Sequence, residues 1–178
     1  MSDIISESSD WSRDEYSNYS SEIKSLTELS ELQENLTLKK LRVMHCSRLE
    51  SMQGIEHLSQ LRELNLSSNS ILRIESLHDM SQLRILNLSC NNIRVINGLS
   101  GLINLEKLNL SFNKISSLSN LKQLYGPRYR NFTTLDLRGN NITQLTELNY
   151  LKDCTYLLDV SLEGTSGTNP ICKLVPYH

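Results

Sequence analysis

Residues 105–115 read L-E-K-L-N-L-S-F-N-K-I, and the same arrangement, L-x-x-L-x-L-x-x-N-x-I/L, occurs at 61–71 and 83–93. It returns at 132–142, where Phe132 takes the first leucine position. A looser copy starts at Leu38, with Leu41, Val43 and Cys46 in the later slots, and a decayed one starts near Leu157, with Val160 and Leu162. The starts at 38, 61, 83, 105, 132 and 157 step by about 22 residues, with one longer step. Around each L-x-L the leucines alternate with other residues, so each copy holds a short strand with one apolar face. A strand this short cannot bury that face alone; copies stacked side by side make a continuous core and a parallel sheet.

That period and that grammar resemble leucine-rich repeats. The expected fold is an α/β solenoid, with a parallel sheet on the concave face and short 3₁₀ or helical segments on the convex face. Asn69, Asn91, Asn113 and Asn140 fall at the ninth position, where the chain turns off the strand. A carboxamide there can bond neighbouring backbone groups, so these four residues are read as a structural ladder rather than as ligand contacts. Cys46 fills the same slot in the first copy.

The 178 residues and net charge of −2 bound the chain to one soluble domain. No run of about eighteen apolar residues exists, so no membrane association is expected. The opening M-S-D-I-I-S-E-S-S-D has neither the basic nor the apolar region of a signal peptide. Cys46, Cys90, Cys154 and Cys172 form no C-x-x-C pair, which argues against zinc or a disulfide frame and fits a reducing compartment. Triplets such as Asn65-Leu66-Ser67 lie inside repeat strands and are not read as glycosylation sites.

Residues 1–21 hold eight serines and five acidic residues against one arginine, so this stretch is expected to be a disordered tail, with Trp11, Tyr16 and Tyr19 as incidental aromatics. The remainder carries a small excess of Lys and Arg, too small to indicate nucleic acid. In 22–37, Ile23, Leu26, Leu29, Leu32 and Leu36 recur at three- and four-residue steps. Two readings stand equally: an amphipathic cap helix, or a degenerate repeat with Ile23, Leu26 and Leu29 in the strand slots. The solenoid proper spans 38–165, and 166–178 is read as a partial C-terminal cap. The insertion at 121–131, L-K-Q-L-Y-G-P-R-Y-R-N, contains a helix-breaking Gly-Pro and is expected to be a solvated loop, with Arg and Tyr available for a partner.

The outward positions of the strands nominate a protein-binding face on the concave side: Lys40, Arg42, Glu63, Asn65, Ile85, Asn87, Lys107, Asn109, Phe112, Thr134, Asp136 and Arg138. Its middle is neutral and uniform, with charges toward the two ends and Phe112 and Ile85 as apolar exceptions. Such a surface suits a peptide or helix contact. His45, His57, His78 and His178 are scattered along the chain, and no Ser/His/Asp spacing, phosphate loop or carboxylate pair emerges. The chain is therefore read as non-enzymatic, without cofactor or metal, and as a monomer.

The run Asn169-Pro170-Ile171-Cys172, followed by Pro176-Tyr177, resembles the opening of the C-terminal cap in intracellular leucine-rich repeat proteins. Those include a phosphatase-regulatory subunit, an outer-arm dynein light chain and a spliceosomal A-prime protein. In them a cap strand and helix follow, and the chain here stops at His178, so the cap is expected to be truncated. Residues 83–177 are similar to the repeat domain of the leucine-rich repeat and coiled-coil centrosomal family. The L-N-L-S-C-N run at 86–91, the G-L-I-N-L-E-K-L-N-L-S-F-N run at 101–113, the insertion and N-P-I-C-K-L-V-P-Y carry that likeness. The resemblance implies centrosome or centriole association in the cytoplasm, a role in spindle or ciliary organisation, and protein partners. The family's long coiled coil has no counterpart here, since no sustained heptads occur. Alternatives are a regulatory adaptor of a protein phosphatase or axonemal dynein, and a ribonucleoprotein component.

Overall fold

A computed structural model of the chain describes residues 14–18, 23–29, 32, 34–165 and 167–173. Among the described residues, seven short strands run in chain order through one open parallel sheet. They are β1 (Glu15–Asn18), β2 (Lys40–Val43), β3 (Glu63–Asn65), β4 (Ile85–Asn87), β5 (Lys107–Asn109), β6 (Thr134–Asp136) and β7 (Asp159–Ser161). The register matches motif position to motif position: Lys40, Glu63, Ile85, Lys107, Thr134 and Asp159 lie side by side. The intervening leucines, Leu41, Leu64, Leu86, Leu108 and Leu135, are buried. The alternation read from the sequence thus sends one face of every central strand into the core.

The returns between strands have a period of their own. Ile71, Ile74, Leu77, Met80 and Leu83 are all buried and stand three residues apart, as do Ile93, Ile96, Leu99, Leu102 and Leu105. Three residues per turn is the repeat of a 3₁₀ turn, which places every third side chain on one line. The backbone follows: Met80 N–H donates to Leu77 O, Leu83 to Met80, Leu102 to Leu99 and Leu105 to Leu102, at 3.0–3.1 Å.

Between strand and return stands the asparagine ladder. Asn113 Nδ2 donates to Leu88 O at 2.9 Å and Leu110 O at 3.0 Å, and its Oδ1 accepts from Ile93 N–H at 3.0 Å. Asn91 does the same with Leu66 O, Leu88 O and Ile71 N–H. Asn69 and Asn140 repeat the pattern one rung on either side. Cys46 occupies the first slot as a buried thiol whose own N–H is taken by Asn69 Oδ1. A fifth rung, absent from the sequence reading, is Asn169: it is fully buried and bridges Leu137 O, Leu162 O and Ile142 N–H.

Three expectations need correction. Glu15–Asn18, inside the stretch read as a disordered tail, is strand β1, paired with β2 and holding Tyr16 at 7% exposure. Residues 1–13, with Trp11, and Tyr19 lie outside the described residues. Within 22–37, Ile23, Leu26 and Leu29 occupy the return, not the strand slots. Leu29 N–H bonds Leu26 O and Leu32 N–H bonds Leu29 O, each at 3.1 Å, after a capping box formed by Ser25 and Glu28. A Cβ on Gly54 of the next return would lie 2.5 Å from Thr27 N, so the two returns stack backbone to backbone. With β1 upstream, the described residues 23–29 therefore belong to the return of a further repeat.

The third correction is the insertion, which is packed rather than solvated. Ser119–Leu124 and Pro127–Tyr129 are 3₁₀ turns joined through Gly126, whose φ of +88° suits glycine. Leu121, Leu124 and Tyr129 are buried, and Tyr129 Oη donates to Ser100 O at 2.7 Å. Tyr125 Oη donates to Tyr150 O, and burial pushes its phenol up to about 12. Toward the other end, Pro170–Lys173 forms a 3₁₀ turn with Ile171 buried, while Leu145, in the return before β7, and Leu158, next to β7, stay exposed.

Replacing Asn113 with Ala orphans the Ile93 amide in the core and removes one donor from each of two carbonyls. A loss of about 2–4 kcal/mol is expected by urea unfolding, and Asn113→Asp should not restore the parent stability, because it keeps the acceptor for Ile93 but brings a buried charge and no donors to the two carbonyls. Asn92→Ala, on the half-exposed neighbour, should cost under about 0.5 kcal/mol. The thiols give a second check. Cys90 is exposed, whereas burial pushes Cys46 and Cys154 up to about 11. A disulfide reagent at pH 8 should modify Cys90 in the folded protein and reach Cys46 and Cys154 only in denaturant.

Candidate functional site: the outer face of the sheet

The outward residues of the strands gather on one face, and most already hold internal partners. At the β1–β3 end, Lys40 pairs with Glu63 at 3.2 Å, and Arg42 pairs with Glu15 and reaches Glu63 at 3.9 Å. These groups are about 34–41% exposed, where ion pairs contribute ~0–1 kcal/mol. Their consequence is electrostatic: two cations and two carboxylates cancel. Glu15 was outside the sequence-based face because β1 has Tyr16 where a leucine would announce a repeat.

Asn65, Asn87, Asn109 and Asp136 form a second row, and each accepts from the backbone N–H two residues on. Those donors are Ser67, Ser89, Ser111 and Arg138, at 2.9–3.1 Å. This Asx turn ends the strand. Three residues after the Asx, the chain enters the left-handed region: Ser68, Cys90 and Phe112 have φ of 59°, 55° and 56°, and Gly139 has 64°. The ninth-position Asn then turns inward. The row nominated for binding is therefore first a turn-former; the Nδ2 groups of Asn65 and Asn87 have no partner among the described residues.

At the other end, Arg138 folds back on Asp136, with Nε 3.0 Å from Oδ1 and Nη2 2.6 Å from Oδ2. Phe112, 37% exposed, lays its ring over two glycines: a Cβ on Gly139 would meet Cδ1 at 2.7 Å, and one on Gly167 would meet Cε1 at 2.5 Å. What remains for a partner is the middle of the face. There Ile85, Lys107 and Thr134 stand in one cross-strand row, and Lys107 has no ion pair among the described residues. His45 and Cys90 stand at the same left-handed position of their repeats. Among the described residues no group of three or more His, Cys, Asp and Glu side chains could hold a metal ion, and no helix is long and apolar enough to cross a membrane.

Residues 59–115 match the leucine rich repeat family, and residues 130–144 match a second family of the same description. The chain carries leucine-rich repeats. No curated protein matches it. Among solved structures it is similar to an internalin, InlF, of Listeria monocytogenes, at 21% identity and a TM-score of 0.70 over 90% of this chain and 44% of that one. Internalin C2 of the same organism gives 23% and 0.65, over 79% of this chain and 57% of that one. A leucine-rich repeat protein of Leptospira interrogans gives 26% and 0.65, over 79% and 34%. The chain thus spans about a third to a little over half of these proteins. The shared architecture is the leucine-rich repeat solenoid.

Gly139→Ala should destabilise the protein by about 2 kcal/mol, through the left-handed backbone and the collision with Phe112. In a Phe112→Ala background the penalty should fall to the backbone cost of about 1 kcal/mol. Equal penalties in the two backgrounds would show that the ring does not rest on Gly139.

Proposed function

We propose that the chain is a non-enzymatic protein-interaction scaffold whose partner seats on the middle of the sheet face, and that it works at centrosomes or centrioles in spindle or ciliary organisation. The observation that carries the binding surface is the contrast along the face. Both ends are closed by internal pairs, Arg42 with Glu15 and Arg138 with Asp136. The centre offers Ile85, Lys107 and the two amides Asn87 and Asn109 in register. One apolar contact, one cation and two amides suit a helix or extended segment carrying an apolar side chain and a carboxylate.

The centrosomal address is supported by the sequence resemblance over 83–177. Asn169 and Ile171 of the N-P-I-C run are buried, so that run has a structural reason to exist in any solenoid of this kind. The weight of the family reading therefore rests on the insertion. Its Tyr125 and Tyr129 are hydrogen-bonded into the body of the repeats while Arg128 and Arg130 stay exposed.

Imaging the tagged chain beside a centriole marker in dividing cells tests the address. Paired coincident spots through mitosis are expected, and an Ile85→Asp, Lys107→Glu variant of unchanged urea midpoint should disperse them. Diffuse signal from the parent chain would contradict the address, and nuclear speckles would favour a ribonucleoprotein role instead.

A further inference from the structure

A second surface lies to the side of the sheet, where the returns lead into the strands. A shallow cleft of about 420 Å³ is lined there by Arg62, Gln82, Arg84, Asn104, Glu106 and Asn131. It adjoins a second of about 370 Å³, lined by Ile103, Pro127, Arg128 and Arg130, with Asn104 and Asn131 shared between the two. The two form one trough from the third repeat to the insertion. We propose that this trough binds an acidic, extended peptide segment of a partner protein.

Charge is the first argument. Four guanidiniums line the trough against one carboxylate, in a chain whose net charge is −2. Glu106 is already engaged by Arg84, with Nε at 2.7 Å and Nη2 at 2.5 Å from Oε1. Arg62, Arg128 and Arg130 have no ion pair among the described residues. Guanidiniums held apart on a fixed scaffold favour carboxylates, which they take in a bidentate manner.

A row of amides lies between the arginines. Asn104 Nδ2 donates to Ser81 O at 2.9 Å, and Asn131 Nδ2 donates to Asn104 Oδ1 at 3.3 Å. These bonds fix the carboxamides, and Gln82 next to them has no partner among the described residues. Such a row bonds a peptide main chain, which presents both donors and acceptors. Ile103 and Pro127 add a small apolar contact beside it.

Rigidity is the third argument. Tyr129 is buried and tied to Ser100 O, so the residues on either side of it, Arg128 and Arg130, are exposed from an anchored turn. The backbone that carries these two guanidiniums needs no ordering when a ligand arrives. Neighbouring strands of a sheet are ~4.8 Å apart, so the trough spans about 15–20 Å, the reach of ~5–6 extended residues at 3.3 Å each. The central Glu106 and the mixed amides favour a peptide over a nucleic acid, which would present phosphate along its whole length.

The probe is a fluorescein-labelled octapeptide, Asp-Glu-Ser-Leu-Gly-Ser-Glu-Asp, read by fluorescence anisotropy against the full chain. Saturable binding that weakens with added salt is expected. An Arg62→Glu, Arg130→Glu variant should weaken it at least tenfold, and Arg62→Gln, Arg130→Gln by less. Urea midpoints of these exposed-site variants should stay at the parent value. Lys107→Glu, on the sheet face, should leave it unchanged, which separates this site from the surface proposed above. No saturable binding, or equal affinity in the charge-reversal variant, would overturn the inference. Tighter binding of a ten-nucleotide oligouridylate, lost in the same variant, would overturn it in favour of nucleic acid.

Discussion

The carboxamide of each inward asparagine bonds the backbone of two successive repeats at once. Asn91 ties the end of its own strand and that of the strand before it, and accepts from the amide of Ile71 in the preceding return. The carbonyls of Leu66, Leu88, Leu110 and Leu137 each receive N–H bonds from two successive asparagines. At this corner the chain leaves the sheet, and its backbone groups would otherwise be buried unpaired, at ~1–3 kcal/mol each. No other side chain supplies two donors and an acceptor in so short and flat a group.

Much else follows from that corner. The Asx turn of Asn65, Asn87, Asn109 and Asp136 ends the strand, and a left-handed residue redirects the chain so that the next Asn points inward. Because those outward asparagines are committed to the turn, the outer face owes its distinct chemistry to a few other positions. These are Ile85, Lys107 and Thr134 in the middle, and the paired ends around Arg42 and Arg138.

The solenoid was legible because L-x-L alternation, the Asn slot and the period agree with one another, and 61–71, 83–93 and 105–115 carry all three. β1 escaped because Tyr16 replaces a leucine and its surroundings are rich in serine and acid, the composition of disorder. Asn169 escaped because it lies seven residues beyond Leu162, where the other rungs lie three beyond theirs. The insertion read as a solvated loop because Gly-Pro breaks a helix; the fold uses that break to join two 3₁₀ turns. The outward strand residues lie in register across the sheet, but their mutual pairing is a matter of side-chain reach that spacing does not reveal. The lateral trough had no signal, since its residues are scattered over three repeats and the insertion.

Native-state hydrogen exchange at the amides of Cys46, Ile71, Ile93, Ile115 and Ile142, the five that donate to ladder oxygens, tests the account most directly. If the ladder holds the solenoid together, the interior three, Ile71, Ile93 and Ile115, exchange only through global unfolding, with opening free energies equal to that from urea denaturation. Exchange at these amides as fast as at exposed turn amides would mean that the corners open locally while the sheet persists, and the ladder would not be what the fold depends on.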